Sequence, residues 1–206
     1  MAIRLFFRNL FSGAVLLTCL SLLSAHASEQ LVTQMPRAFP KENPNKIEVI
    51  EFFSYGCGHC KDFHPALMKW VASQSADVSF RRVPVAWNRQ WSGLSRLYYT
   101  LELLGELKRL DNAVFEALHK ERRNDLVTER GATNWYVGKG GNEQKFRAAY
   151  NSFGIASKVS QAENLAQQME IQSVPALVVE GQYRIQGEFE QMLKAADQLI
   201  ERARKK

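Results

Sequence analysis

Cys57 and Cys60 are separated only by Gly58 and His59, within the run FFSYGCGHCKDFHP from Phe52 to Pro65. The one other cysteine of the chain is Cys19. A pair at this spacing has three uses. As a structural clip it would close a very small loop and remove little chain entropy, so it is a poor staple. As half of a zinc site it would need about four ligands. His59 and His64 are close in sequence, but adjacent residues on one helical turn point in different directions, and no second CxxC completes a tetrahedron. The remaining use is as a reagent, exchanging thiols for a disulfide.

What decides between these uses is the element that carries the pair. KIEVIEFFS, Lys46 to Ser54, is a short and nearly continuous run of β-branched and aromatic residues, interrupted by Glu48 and Glu51. Such a run predicts a buried central strand. Tyr55 and Gly56 break it, and from Cys57 onward Cys60, Phe63, Leu67, Trp70 and Val71 recur at helical spacing. Pro65 falls inside that stripe and predicts a kink rather than an end, because the apolar spacing continues past it. VSFRRVPV, Val78 to Val85, alternates as a strand. Strand, helix and strand in this order make a βαβ unit with a right-handed crossover.

The pair therefore lies where a strand gives way to a helix. Cys57 falls at the first turn, where unpaired backbone N–H groups and the helix dipole favour a thiolate. Cys60, one turn inside, is expected to be buried and to resolve a mixed disulfide. His59 can add a hydrogen bond or a positive charge near the Cys57 sulfur. Lowering the Cys57 pKa stabilises the dithiol form, which makes the disulfide a stronger oxidant. Glu51 sits inside the apolar strand, which predicts a buried carboxyl with a raised pKa. Glu48 and His64 read as ordinary surface residues, and Trp87, Trp91 and Met169 as packing residues.

Farther along, no strand is evident between Trp91 and about Phe153. Leu94, Leu97, Tyr98, Leu101 and Leu104 form one helical stripe, Val114, Phe115 and Leu118 suggest a second, and Phe146, Ala149, Tyr150 and Phe153 a third. A further helix through Val159, Ala162, Leu165, Ala166 and Met169 leads back to the sheet. PALVVEGQYRI predicts a hairpin, with strands at Ala176–Val179 and Gln182–Ile185 around a Glu180–Gly181 turn. An amphipathic helix through Phe189, Met192, Leu193, Ala196, Leu199 and Ile200 closes the chain. Ser28 to Asn45, with three prolines, reads as an extended approach segment.

The chain opens as an export signal. Arg4 and Arg8 precede the apolar run Leu10–Leu23, which is shorter than the roughly 20 residues of a membrane span. AHA at Ala25–Ala27 supplies the small residues of a cleavage site, so residues 1–27 are expected to be removed before Ser28. Leu17 and Thr18 are too bulky for a lipoprotein site at Cys19. The exported chain, residues 28–206, then keeps only Cys57 and Cys60, in a compartment where thiols oxidise. The formal charge of +6 loses two positive charges with the leader, and what remains is too slight to argue for nucleic acid, which is not expected as a partner. Lys120–Arg123 and Arg202–Lys206 read as solvated helix faces or ends.

EFFSYGCGHCKDFHP, followed much later by SVPALVVEGQYRI, resembles the DsbA family of periplasmic thiol:disulfide oxidoreductases. The likeness extends over essentially the whole mature chain. It implies an α/β, thioredoxin-like fold with an inserted helical domain, here at about residues 88–156. It also implies that Cys57 attacks and Cys60 resolves, that Glu51, six residues before Cys57, handles the proton of the resolving thiol, and that Pro175, preceded by Val174, is a cis-proline beside the disulfide where substrate binds. Pro65 matches the helix-kinking proline of thioredoxin-like folds. Read by itself, Pro175 could instead begin a strand. One departure is Gly58-His59, the dipeptide of protein disulfide isomerase, where the family usually has Pro-His. Representative potentials for the two classes, about −180 and −120 mV, differ by roughly 2.8 kcal/mol for two electrons.

The resemblance implies a monomeric periplasmic dithiol oxidase with no cofactor and no metal. Its substrates are reduced, newly exported polypeptides, and a quinone-linked membrane oxidase of the DsbB type reoxidises it. The rival readings are a disulfide isomerase or reductase, and a periplasmic chaperone or binding protein without redox turnover.

Overall fold

A computed structural model describes residues 31–205. The expected signal segment, residues 1–27 with Cys19, lies outside the described residues. At the centre is a five-stranded mixed sheet of order β1-β5-β4-β2-β3. Its strands are β1 Val32–Gln34, β2 Ile47–Phe53, β3 Val78–Pro84, β4 Ala176–Val179 and β5 Tyr183–Ile185. β2 runs parallel to the edge strand β3 and antiparallel to β4, so it has a neighbour on each side. Ile50, Phe52 and Phe53 are fully buried there, as an unbroken apolar run requires.

Two apolar layers cover the sheet. Val49, Leu177 and Val179 pack with Phe63 and Leu67 of helix α1 (Gly58–Ser73) and with Met192, Ala196 and Ile200 of helix α7 (Phe189–Arg204). On the other side Ile50, Phe52 and Val178 join Val159, Ala162 and Ala166 of helix α6 (Phe153–Gln168). That layer continues into α2 (Arg89–Leu103), α3 (Leu107–His119), α4 (Glu129–Gly138) and α5 (Glu143–Tyr150). Each fully buried Leu, Ile or Phe in these layers contributes about 1.5–3 kcal/mol. Strand, helix, strand, then hairpin and helix, with helices set between β3 and α6, is a thioredoxin-like arrangement.

Local chemistry marks the helix starts. Asn88, Thr128, Asn142 and Ser152 each accept a hydrogen bond from a backbone N–H in the first turn of α2, α4, α5 and α6. α1 continues through Pro65 to Ser73. The β4–β5 turn places Glu180 and Gly181 in the left-handed region, at φ 55° and 59°, as a two-residue hairpin demands. A side chain at Gly181 would also lie 2.4 Å from the Phe39 carbonyl oxygen.

Several sequence expectations are corrected. The approach segment contains β1, which pairs with β5 from Val32↔Ile185 to Gln34↔Tyr183. α4 is a helix not expected from the sequence: Gly131 and Gly138 read as breaks, although Ala132, Trp135 and Tyr136 are buried at helical spacing. Gly131 is required there, since a Cβ would come within 2.1 Å of the Asp125 carbonyl oxygen. Phe153 is exposed at the start of α6 rather than part of the preceding apolar face. Glu48 and His64, expected at the surface, are buried. Glu48 lies on an inner strand and accepts from the Glu42 backbone N–H at 3.0 Å and Arg81 Nε at 3.2 Å. Met169 is a core residue and Trp91 packs, partly buried, against the core, whereas Trp87, stacked on Trp91 with ring centroids 5.5 Å apart, is 41% exposed.

Candidate active site

β2 delivers the chain to the site and α1 takes it away. Cys57 is the N-cap of α1, with extended backbone, and its sulfur accepts from the Cys60 backbone N–H at 3.4 Å. It is half-buried, whereas Cys60, one turn on, has no exposed surface, and both are thiols. The turn before them is fixed on two sides. Ser54 Oγ accepts from Gly56 N–H at 3.1 Å, and His119 Nε2 of α3 lies 2.8 Å from the Tyr55 carbonyl oxygen. Gly56 is needed because a Cβ would come within 2.8 Å of the Trp91 indole nitrogen.

The two thiols are made unlike by position. Cys57 is pulled down to about 6, first by a hydrogen bond from the Cys60 thiol. Partial burial opposes this, while the backbone N–H groups of Cys60 and His59 and the positive charge of His59 assist it. Cys60 is pushed far up, first by burial, then by its hydrogen bond to Cys57 and by the charges of Cys57 and Glu51. His59 is exposed between them, and its charge is the smallest of the causes acting on Cys57.

Across from Cys57 stands the segment leading into β4. The Val174–Pro175 peptide bond is cis, and the Val174 carbonyl oxygen lies 3.4 Å from Cys57 Sγ. Ala176, the next residue, already pairs with Phe52 of β2. The structure thus brings Cys57, Cys60, His59, Val174 and Pro175 together at one end of β2.

Glu51 lies below them, wholly buried. Its register partners are Arg82 on β3 and Leu177 on β4. Burial raises its pKa, and Arg82 only partly offsets that. Sequence reasoning missed the group around it. Arg82 Nε donates to Glu51 Oε2 at 2.5 Å and Arg82 Nη1 to Asp111 Oδ2 at 2.6 Å. The Tyr55 hydroxyl donates to Asp111 Oδ1, and His64 Nε2 lies 3.2 Å from Asp111 Oδ2. Arg82 also stacks on Phe53, with its guanidinium carbon 3.8 Å from the ring centroid. The signal available was the Arg81-Arg82 pair in an otherwise apolar strand, which marks a buried cation wanting a carboxylate. Among the described residues, no three His, Cys, Asp or Glu side chains converge as metal ligands.

A stabilised thiolate beside a buried thiol can take up a disulfide and pass it on again, so fold and site together define a thioredoxin-fold dithiol–disulfide oxidoreductase. The family model described as Thioredoxin matches residues 42–198. The thiol:disulfide interchange protein DsbA of Pseudomonas aeruginosa is 40% identical over 169 residues, 80% of each chain. A crystal structure of Pseudomonas aeruginosa DsbA superposes with a TM-score of 0.81 at 38% identity, covering 84% of this chain and 92% of that one. The oxidoreductase DsbA of Xylella fastidiosa gives the same TM-score at 31% identity, over 85% and 96% of the two chains. This chain belongs to the DsbA family of thiol:disulfide interchange proteins.

Proposed function

We propose that this oxidoreductase runs in the oxidising direction in the periplasm, donating the Cys57–Cys60 disulfide to reduced, newly exported polypeptides. The observation that carries the reading is the asymmetry of the pair: Cys57 is accessible and held near 6, while Cys60 is buried and pushed up. A substrate thiolate attacks Cys57 Sγ and the Cys57–Cys60 bond breaks. Cys60 leaves with the electron pair and takes a proton from the Glu51 carboxyl. A second substrate thiolate then attacks the substrate sulfur of the mixed disulfide, and Cys57 departs as a thiolate. The substrate loses two electrons and the protein gains them.

In this reading Val174 and Pro175 hold the substrate segment against Cys57, and His59 supports the Cys57 thiolate. Reoxidation reverses the steps on a DsbB-type, quinone-linked membrane oxidase, and Glu51 then accepts the Cys60 proton. The protein acts as a monomer after loss of residues 1–27. The Leu10–Leu23 run and the AHA sequence support export, and mass spectrometry of the protein from a periplasmic extract should give Ser28 as its first residue.

The test of direction and roles is trapping. Cys60→Ala leaves nothing within the protein to resolve the Cys57 adduct, so it should accumulate mixed disulfides with exported proteins, and Cys57→Ala should accumulate none. Equal adducts from both variants on a non-reducing gel would reverse the assignment. Failure of the oxidised protein to oxidise a reduced model protein in a single turnover would favour a non-redox chaperone. Rearrangement of a scrambled protein, with little net oxidation, would favour an isomerase.

A further inference from the structure

Two carboxylates share one guanidinium beneath the thiols, and they are not equivalent. Asp111 accepts from Arg82 Nη1 and from the Tyr55 hydroxyl, and His64 Nε2 faces it at 3.2 Å. Burial, then Arg82, lowers the His64 pKa while Asp111 partly offsets this, which favours the neutral imidazole, and its Nδ1 is buried without a partner among the described residues. Glu51 has a single donor, Arg82 Nε, on Oε2, and its Oε1 is buried with no partner among the described residues. The other charged or titratable groups facing the cluster are Cys57 and Cys60 of α1 and Tyr98 of α2.

With both carboxylates ionised, the single positive charge of Arg82 would leave the buried cluster net negative, which burial opposes. One proton removes that excess. Asp111 has its oxygens occupied by donors, so the proton belongs on Glu51, whose buried Oε1 has no partner among the described residues and whose charge acts on Cys60. We propose that Asp111, carried by the inserted helix α3, is a positioning residue for proton transfer at Glu51. By taking one arm of Arg82 and placing a second negative charge nearby, it keeps Glu51 supplied with the proton that Cys60 receives when the disulfide opens. The helical insertion thereby acts on the chemistry of the sheet, although Asp111 touches neither thiol. Because Arg82 and Glu51 are register partners across β2 and β3, the arrangement is held by backbone pairing as well as by the ion pairs. This rests on the role given to Glu51 above.

The test is the rate at which the oxidised protein opens onto excess reduced dithiol peptide, by quenched flow from pH 5 to 8. Dividing that rate by the rate of Glu51→Gln in the same background isolates the Glu51 contribution from titration of the peptide and of Cys57. In the wild type this ratio exceeds one at low pH and declines toward one as Glu51 ionises. In Asp111→Asn, with the second negative charge gone, the midpoint of the decline should move about one pH unit lower. Asp111→Glu, which keeps the charge, should restore it, and Asp111→Ser serves if the asparagine variant does not fold. A midpoint unchanged in the neutral variants, with the ratio still above one at low pH, overturns the positioning role and leaves Glu51 in place. A ratio of one at every pH in the wild type removes Glu51 from the reaction and the inference with it.

Discussion

Glu51 and Arg82 face each other across the parallel β2–β3 pair, joined by a 2.5 Å hydrogen bond in the buried interior. Register alone puts the acid of one strand beside the base of the next, close enough for the Glu51 charge to act on Cys60 of α1. Removing Arg82 leaves the Glu51 and Asp111 side chains without their shared cation. Arg82→Leu is therefore expected to destabilise the protein by about 3–5 kcal/mol at neutral pH. The loss should shrink toward pH 5, because a carboxyl whose folded pKa is raised stabilises the fold when protonated and loses that contribution as pH rises. Urea unfolding at pH 5 and 8 measures this, and equal losses at both values would contradict it.

Glu51→Gln keeps shape and hydrogen bonding but cannot carry a proton. Turnover should fall without unfolding, by about 10²-fold if the carboxyl acts as a general acid and base. A rate equal to wild type from pH 6 to 8 would reduce Glu51 to a packing residue. An equal loss at every pH together with lowered stability would make its role structural.

Thiolate absorbance near 240 nm should give Cys57 a midpoint at about 6, against 9.0 for an ordinary cysteine. Since the Cys60 thiol is the largest cause of that depression, Cys60→Ala should raise the midpoint by about one unit. A depressed pKa stabilises the folded dithiol form above the unfolded value, and that contribution disappears as pH falls through 6. A midpoint above 8 in the wild type would remove Cys57 as the reactive thiol.

His59→Ser should make the disulfide less oxidising, since the imidazole charge helps the Cys57 thiolate. The structure makes this the smallest of the causes on Cys57, so the glutathione equilibrium constant should move by less than about tenfold, the equivalent of one pKa unit. No movement at all would take His59 out of the mechanism.

What was legible in the sequence was local. Cys57, Cys60, the strand before them and the hairpin after Pro175 are each defined by neighbours a few residues away, and periodicity and turn chemistry suffice to read them. Glu51 could be placed inside because its own strand is apolar. Its partners could not, because Arg82 and Asp111 reach it through strand register and helix packing, which no single window of sequence contains. His64 looked like a surface residue for the same reason: its burial is supplied by α3, whose Phe115 ring lies 5.1 Å away. Trp87 departs the other way: a large aromatic implies packing inside, but it is exposed and stacks on Trp91, which does pack against the core.

Gly58 is the first residue of α1, and a Cβ added to it would meet nothing within 4 Å. Proline is favoured at that helical position, where the N–H has no intrahelical partner and φ is already helical. Gly58→Pro should therefore fold as well as the wild type while converting Gly-His to Pro-His. If the dipeptide accounts for the difference between isomerase-like and DsbA-like potentials, the variant should become more oxidising by up to about 60 mV. In the glutathione equilibrium that is a change of up to roughly 100-fold. A rise in potential with a parallel fall in the Cys57 midpoint would place the effect on the thiolate. A rise with an unchanged midpoint would place it on strain in the disulfide form. An unchanged potential would mean that Cys60, Val174 and the buried Glu51–Arg82–Asp111 cluster, rather than the dipeptide, set the oxidising strength of this protein.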